Sequence, residues 1–396
     1  MKVTIVGLGY MGLPTALLFA RAGHQVYGFD VNAEKIKTLK QGKMLFEEPG
    51  LLDLYKEGAG NFTCGTSIAE ADAFVISVPT PFTKEKKCDN VYVISATESV
   101  ARVLRQGNLV ILESTVTPGT TETIVKPILD KAKKKYDLAY VSEKAIPGKT
   151  ISEMQTNHRI IGGLTGEAGK RTKELYSCFV RNEIHLTDAR TAEMAKLMEN
   201  TFRDVNIALA NEFAKLSMEL GVNAWEAIEL ANLHPRVNIH SPGSGVGGHC
   251  IAIDPWFLTE NTKSAKLIPT ARLINDSQPE LIFEMIKKLA KKGDSVAILG
   301  TAYKKNVDDD RESPSHEIIK LCREYGFEVR VHDPYVKGVE KSIGKVLKDA
   351  KIAVIATGHD IYKDVDFGKT CVLDCFNLGI KDAVVLGNGK KRRETK

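Results

Sequence analysis

The sequence predicts an α/β chain: two Rossmann-like, doubly wound domains joined by a central helical dimerisation region with one long helix. Three observations carry this. Short apolar and β-branched runs at 3–6, 25–29, 73–78, 109–112 and 138–141 alternate with helical patterns such as 11–21. That β-α-β rhythm builds a parallel sheet covered on both faces. From 191 to 220 no Pro or Gly intervenes, and Met194, Leu197, Met198, Phe202, Val205 and Ala208 recur at helical spacing. A second β-α series then occupies 295–300, 328–332, 351–357, 371–374 and 383–387.

Taken in order, residues 1–187 form the first α/β domain, 188–291 the helical region and 292–396 the last α/β domain. Gly221 ends the long helix, Asn223 can cap a second one reaching 231, and a further helical stretch covers 271–290. An uninterrupted helix of this length fits a dimerisation surface, and equally a helix packed between the domains of one chain. A homodimer or a dimer of dimers is the expected assembly.

Composition narrows the partners. With 43% hydrophobic and 27% charged residues among 396, the chain is an ordinary soluble globular protein. A formal net charge of +5 favours an anionic ligand without requiring nucleic acid, and the basic run at 390–393 reads as a solvated tail. No apolar stretch approaches the roughly 18–20 residues of a membrane span. The chain runs from Met1 straight into a strand and its glycine turn, which leaves no room for a signal peptide. Seven cysteines, an odd number without scaffold spacing, fit no disulfide framework. A reducing, cytoplasmic location without membrane or nucleic-acid partners follows as the expectation.

Gly7, Gly9 and Gly12 form a G-x-G-x-x-G turn between a strand and a helix, with Leu8, Tyr10 and Met11 between them. Gly7 permits the tight turn, Gly9 lets backbone approach a pyrophosphate, and Gly12 lets helix and strand pack closely. The helix N-terminus then offers amides and partial positive charge to phosphate. Asp30 ends the second strand, where a carboxylate accepts ribose hydroxyls and repels a 2′-phosphate, so NAD is expected rather than NADP. Lys35, one turn further on, pulls slightly the other way. In the last domain, Gly300-Thr301-Ala302-Tyr303-Lys304-Lys305 lacks the later glycines, and its lysines suit a different phosphate ligand such as a nucleoside diphosphate.

The chemistry centres on Cys250. Four glycines (Gly243, Gly245, Gly247 and Gly248) lie among the eight residues before it, and Asp254 follows by four. Glycine backbone can adopt strained conformations and approach a ligand closely. A thiolate can trap an aldehyde as a thiohemiacetal, whose oxidation gives a thioester that water hydrolyses to a carboxylate. Cys64, Cys88, Cys178, Cys322, Cys371 and Cys375 read instead as small buried hydrophobes. His249 adjoins the thiol, but no partner ligands stand at metal spacing, so no metal is expected. Glu193, Lys196 and Asn200 share one helical face, which alone would be a solvated stripe.

Six motifs in order then resemble the nucleotide-sugar 6-dehydrogenases, the family of UDP-glucose and GDP-mannose dehydrogenases. They are Gly7-x-Gly-Tyr-x-Gly-Leu-Pro14, Ser77-Val-Pro-Thr-Pro81, Glu113-Ser-Thr-Val-Thr-Pro-Gly119, Glu193-x-x-Lys196-x-x-x-Asn200, Gly245-x-Gly-Gly-x-Cys250-x-x-x-Asp254 and Tyr303-Lys304-x-x-x-x-Asp309-x-Arg311-Glu312-Ser313-Pro314. The resemblance implies Cys250 as nucleophile, with Lys196 and Asn200 stabilising the oxyanion. It implies Asp254 positioning water and charge around the thiol, Glu143 as general base for thioester hydrolysis, and Thr115 positioning water or cofactor. It places Pro79, Thr80, Thr115 and Arg311 beside Gly7 to Gly12, Asp30 and Lys35 at the cofactor. Glu143, Lys196, Asn200, Arg236, His240, Gly243, Gly247, Tyr303 and Lys304 fall at the sugar nucleotide, with Arg236 reaching across a dimer interface.

Within the family, the run 236–257 is most similar to the branch that oxidises UDP-N-acetyl-D-mannosamine to its uronate. Pro147, where UDP-glucose members carry a second glutamate, supports that branch; Lys144 and Ser244 depart from the Arg and Pro common in it. UDP-N-acetylglucosamine, UDP-glucose or GDP-mannose are alternative substrates for the same chemistry. A non-redox epimerase or a non-catalytic nucleotide binder are the alternatives of different class.

Overall fold

A computed structural model describes residues 1–83, 85–248 and 250–390, in two compact units, Met1–Met198 and Glu199–Lys396. Each unit is built on one sheet. The first contains β1 (Lys2–Val6), α1 (Gly12–Arg21), β2 (Gln25–Phe29), α2 (Ala33–Lys40), α3 (Leu51–Gly58), β3 (Phe62–Gly65), β4 (Ala73–Ile76) and α4 (Val91–Val103). It continues through β5 (Asn108–Leu112), α5 (Lys126–Asp130), β6 (Tyr136–Val141), α6 (Thr150–Thr156), β7 (Arg159–Gly163), α7 (Gly166–Tyr176) and β8 (Ile184–Asp188), then enters α8 (Ala189–Leu220).

Alternation along the strands decides the layers. Val3, Ile5, Ala73, Val75, Leu109 and Ile111 face one apolar cluster with Leu13 and Leu17 of α1. Their neighbours Val6, Phe74, Ile76, Val110 and Leu112 face a second cluster with Val93 and Val100 of α4. Strands buried on both faces read as continuous apolar runs, which is why these were legible in the sequence. The sheet order is β3-β2-β1-β4-β5-β6-β7-β8. The chain reverses direction of growth at β1/β4, where open α/β sheets bind ligands beyond the strand carboxyl ends.

The expectation of an all-parallel first sheet is corrected at one pairing: β7 runs antiparallel to β6, with Val141 opposite Ile161. The connection between them holds only the seven-residue α6 and returns to the edge it left. β3, β7 and β8 did not stand out in the sequence, since Phe62-Thr-Cys-Gly65, Arg159-Ile-Ile-Gly-Gly163 and Ile184-His-Leu-Thr-Asp188 mix glycine and polar residues into short runs.

The second unit carries the rest of α8, then α9 (Ala224–Ala231), α10 (Asp254–Thr259), α11 (Leu267–Asp276), α12 (Gln278–Leu289), β9 (Ser295–Leu299), α13 (Pro314–Tyr325), β10 (Glu328–His332), α14 (Ile343–Leu347), β11 (Ile352–Ile355), β12 (Cys371–Asp374) and β13 (Val384–Val385). Its strands are all parallel, in the order β10-β9-β11-β12-β13. Gly221 ends α8 at φ 70°, and the Asn223 side chain accepts the Trp225 amide to cap α9, both as expected. The helical stretch expected over 271–290 is two helices, because Pro279 has no amide to donate back and is tolerated only in a first turn.

Among the described residues no helix is long and apolar enough to cross a membrane. Of the basic run at 390–393 only Lys390 is described, and it pairs with Glu226 at 2.5 Å.

Gly162 tests the packing of the first sheet. A Cβ there would stand 2.4 Å from the Asp188 carbonyl oxygen and 2.5 Å from the Ala189 Cα. Gly162→Ala is expected to destabilise the protein by about 1–3 kcal/mol, measured as a lowered urea midpoint; an unchanged midpoint would contradict the close approach.

Candidate active site

In the first unit the three glycines have three different surroundings. Gly7 sits at φ 98°, and a Cβ would meet the Ser77 carbonyl oxygen at 2.3 Å. At Gly12 a Cβ would meet the Gly7 carbonyl oxygen at 1.9 Å, so α1 can start only against glycine. Nothing lies within 4 Å of a Cβ at Gly9, which leaves its backbone open to a ligand. Met11 gives α1 no side-chain cap; within its first turn the Leu13 amide donates to the Gly9 carbonyl at 3.1 Å and Pro14 has no amide, so what the helix start offers an anion is chiefly its partial positive charge. Tyr10 stacks on Phe46, with ring centroids 4.2 Å apart.

Asp30 accepts the Leu8 amide at 3.0 Å and the Asn32 amide at 2.9 Å, while Lys35 Nζ lies 3.4 Å from Oδ2. Its carboxylate thus shapes the turn as well as lying where ribose is expected, and Lys35 is paired with Asp30. The loops after β4 and β5 are tied together. Thr80 Oγ1 donates to the Thr115 carbonyl at 2.7 Å, and Ser114 Oγ accepts the Val78 amide at 2.9 Å and donates to the Val78 carbonyl at 2.7 Å. This brings Pro79, Thr80 and Thr115 to neighbouring strand ends. An uncapped helix, an open Gly9 and an acid at the end of β2 fit NAD.

Glu143 follows β6 and is buried. Its Oε1 accepts the amides of Lys144 and Ala145 at 2.6 and 2.7 Å, and Arg159 donates to Oε2 at 2.6 Å. Behind it lies Glu113, which accepts Tyr176 Oη at 3.0 Å and Thr15 Oγ1 at 3.3 Å and stands 3.8 Å from Arg159. One guanidinium therefore serves two buried carboxylates. Burial pushes Glu143 up, but the Arg159 charge and the amide bonds outweigh it and hold the carboxyl below its usual range. Burial first, and then the Glu143 charge, raise Glu113 to about 7. Arg159, Glu113 and Tyr176 were not assigned to the site from the sequence; the only signal was Glu113 opening the third motif.

Glu193 and Lys196 are also buried. Glu193 is not part of a solvated stripe: it accepts the amides of Gly119 and Thr121 and the Thr121 hydroxyl, at 2.5, 2.9 and 2.6 Å. It fixes the loop of the third motif to α8.

In the second unit Cys250 is exposed, and its carbonyl accepts the amides of Ile253 and Asp254 at 3.0 and 2.8 Å, one turn before α10. Asp254 is buried and accepts Asn200 Nδ2 at 2.6 Å, while Arg203 donates to Asn200 Oδ1. The expected Asn200 and Asp254 thus form one hydrogen-bonded pair beside the turn of the thiol. His249 lies outside the described residues. Of the other cysteines, Cys64, Cys88, Cys322 and Cys375 are buried as expected; Cys371 is half-buried, and Cys178 is exposed, which corrects its reading.

The glycines before Cys250 answer to protein neighbours. A Cβ at Gly243 would stand 3.1 Å from the Phe376 ring, at Gly245 3.0 Å from Pro314, at Gly247 2.3 Å from the Glu312 carbonyl and at Gly248 2.8 Å from the Tyr303 ring. The loop's start is anchored from below: Gly243 N donates to Asn211 Oδ1 (2.9 Å), Asn211 to Asn275 (2.9 Å), and Asn275 to Asp204 (2.8 Å), which also takes Arg272. This buried polar chain was invisible to spacing arguments.

Gly300 and Asp333 repeat the construction of the first unit despite the missing later glycines. Gly300 has φ 93° and donates to the His332 carbonyl at 2.8 Å, as Gly7 does to Phe29. Asp333 accepts the amides of Thr301 and Ala302 at 2.7 and 3.0 Å, and His359 Nε2 lies 3.1 Å from the same oxygen. Lys304 is exposed beyond this turn, while burial first, and then Asp309 and Cys250, push the Tyr303 hydroxyl up. Arg311 makes a two-pronged pair with Asp309 at 2.8 and 2.6 Å. Arg236 is exposed beside His234, and His240 meets Phe202 edge-on at 6.4 Å.

The glycine turn, the start of α1 and Asp30 make the first unit a dinucleotide cradle of the NAD-binding α/β class. The chain belongs to the UDP-glucose/GDP-mannose dehydrogenase family: residues 1–180 match its NAD binding domain, 190–277 its central domain and 297–378 its UDP binding domain. A UDP-N-acetyl-D-mannosamine dehydrogenase of Methanocaldococcus jannaschii is 49% identical over 374 residues, covering 92% of this chain and 87% of that protein. The solved UDP-N-acetyl-D-mannosamine dehydrogenase of Pyrococcus horikoshii aligns with TM-score 0.93 at 40% identity, over 99% of this chain and all of that one. An NDP-N-acetyl-D-galactosaminuronic acid dehydrogenase of Ralstonia nicotianae is 40% identical, over 92% of each chain.

The Glu113 pocket predicts a pH dependence. A carboxyl raised from 4.5 to about 7 by folding contributes stability below pH 4.5 that drains away as pH rises to 7. Glu113→Gln is expected to remove that decline, so its urea midpoint gains on the wild type as pH rises from about 4.5 to about 7; parallel pH profiles would show that Glu113 does not titrate there. At the cysteine loop, Asn211→Ala leaves the Gly243 amide and Asn275 without their partner, and is expected to cost about 1–3 kcal/mol by urea unfolding. A cost near zero would mean that the loop is not anchored there.

Proposed function

We propose that the protein oxidises the C6 hydroxyl of UDP-N-acetyl-D-mannosamine to the carboxylate of UDP-N-acetyl-D-mannosaminuronate, through a covalent adduct on Cys250. The observation that carries the chemistry is the exposed Cys250, held at the head of a turn by the amides of Ile253 and Asp254. The sugar rests on relatives of that name, 43–49% identical over more than nine-tenths of this chain. A second reading, an N-acetylgalactosamine-type sugar, draws on the Ralstonia relative.

When bound, NAD supplies the two-electron acceptor, once for each of the two oxidations. The Cys250 thiolate attacks the aldehyde carbon; a C–S bond forms, and the carbonyl electron pair moves to oxygen. Lys196 and the Asn200 amide stabilise that oxygen, charge and donor being aimed where negative charge develops. The second oxidation leaves a thioester. Water adds to its carbonyl, the C–S bond breaks, and the electron pair returns to sulfur as thiolate. Glu143, held ionised by Arg159, takes the water's proton. Asp254 orients Asn200 and the charge around the thiol, and Thr115 positions water or cofactor at the end of β5.

Residues 1–187 bind NAD through Gly7 to Gly12, Asp30, Lys35, Pro79, Thr80 and Thr115, and Arg311 of the last domain approaches the cofactor. Residues 188–291 carry the helices and the thiol, and 292–396 hold the UDP moiety through Tyr303 and Lys304. Arg236, His240, Gly243 and Gly247 complete the sugar-nucleotide contacts, with no metal taking part in the reaction. Met194, Met198, Phe202, Leu209, Leu216 and Leu220 are exposed along α8, an apolar stripe that a second copy covers in a dimer or dimer of dimers. An exposed catalytic thiol needs a reducing compartment, the cytoplasm.

The test is NADH released per sugar from limiting UDP-N-acetylmannosamine with excess NAD. Two equivalents are expected, with Cys250→Ser releasing no carboxylate. One equivalent would sink the acid-forming route, normal turnover by the variant would sink the adduct, and two equivalents only from another nucleotide sugar would replace the substrate.

A further inference from the structure

We propose that His158, Glu183 and His185 form a binding site for a divalent transition ion of the zinc class, at the outer edge of the first sheet. The proposal starts from register. In the parallel β7–β8 pair Arg159 stands beside Ile184 and Ile160 beside His185, and one residue earlier His158 stands beside Glu183. Side chains alternate along a strand, so His158, Glu183 and His185 leave one face while Arg159 and Ile184 turn to the other, where both are buried. β8 is the last strand of its sheet, so the three side chains line an open edge.

Their donor atoms converge. His158 Nδ1 and His185 Nε2 are 3.1 Å apart, Glu183 Oε2 is 3.8 Å from the same Nε2, and all three ligand atoms lie within 4.8 Å of one another. Two nitrogens bonded to one zinc at about 2.0–2.1 Å and near-tetrahedral angles stand a little over 3 Å apart, about where these already stand. The rings are inclined by only 25°, with centroids 5.3 Å apart. The Glu183 carboxylate is two-thirds exposed, and its ligand atom lies within 4.8 Å of both imidazole nitrogens.

The turn below it is braced. Asn182 Nδ2 donates to the Thr156 carbonyl, and Asn182 Oδ1 accepts the Glu183 amide, both at 2.8 Å. Two imidazoles and one carboxylate are a donor set that borderline ions such as zinc take, with water in the fourth position. The ion would pin the start of β7 to the start of β8, next to the Arg159 that holds Glu143. Without an ion, the two nitrogens share a single proton in an N–H···N bond. That arrangement is the one the experiment separates from ours.

The full chain, without a histidine tag and stripped with a chelator, is titrated with zinc by calorimetry and with cobalt(II) by absorption. One ion per chain is expected, with a Kd on the order of micromolar and cobalt bands of nitrogen and oxygen ligation. His158→Ala and His185→Ala should each weaken zinc at least tenfold, and Glu183→Gln less. All three positions are exposed, and circular dichroism checks that the variants fold. Absence of saturable binding overturns the site, as does unchanged affinity in the histidine variants. A thiolate-to-cobalt charge-transfer band that persists in His158→Ala/His185→Ala assigns the ion to a cysteine and equally overturns it. None of these readouts depends on turnover, so the proposal stands or falls apart from the dehydrogenase reading.

Discussion

Buried carboxylates that accept backbone amides hold the loops of both units, and the rest of the site is hung on them. Asp30 takes Leu8, Glu143 takes Lys144 and Ala145, Glu193 takes Gly119 and Thr121, and Glu48 takes Gly148 and Thr150. In the second unit Asp333 takes Thr301 and Ala302, and Asp374 takes Phe376 and Leu378. An ionised carboxylate is costly to bury, and charge-assisted bonds from amides offset that cost. The loops so held are correspondingly rigid, because moving one strands a charge. Phe376, fixed in this way, is the ring against which Gly243 of the cysteine loop packs.

Charge balance explains the difference between two neighbouring acids. Arg159 brings one positive charge to a pocket with two carboxyls, so the cluster is neutral only if one acid keeps its proton. Glu143, with the shorter contact and two amides, takes the ionised role, and Glu113, bonded to two hydroxyls, takes the proton. The two acids are pushed apart, Glu113 up to about 7 and Glu143 below its usual range, so the proton stays on Glu113 and the proposed base stays ionised. The two are linked through one guanidinium, so their titrations belong to the pair.

The two sheets share a construction that sequence comparison of their turns hides. Gly7 with Asp30 and Gly300 with Asp333 make the same glycine turn pinned by an acid from the next strand. They differ in what fills the acid's second side: Lys35 at Asp30, and the buried His359 at Asp333. The second turn therefore has its acid sealed against protein, and what it presents outward is Lys304.

The sequence by itself determined the α/β class, the helix over α8, the dinucleotide turn and the singling out of Cys250. Each of these is written in local pattern: apolar runs, periodicity, glycine spacing, a thiol in a glycine loop. Tertiary structure alone decided that β7 is antiparallel, that Arg159 joins Glu143 to Glu113, and that Asn211, Asn275 and Asp204 carry the cysteine loop. It also decided that the glycines before Cys250 serve close packing against Tyr303, Glu312 and Pro314, where the sequence pointed to approach by a ligand. The reason is range. A pattern shows which side chains share a face, whereas the partner of a buried polar group lies 16 to 72 residues away in these pairs and is chosen by folding.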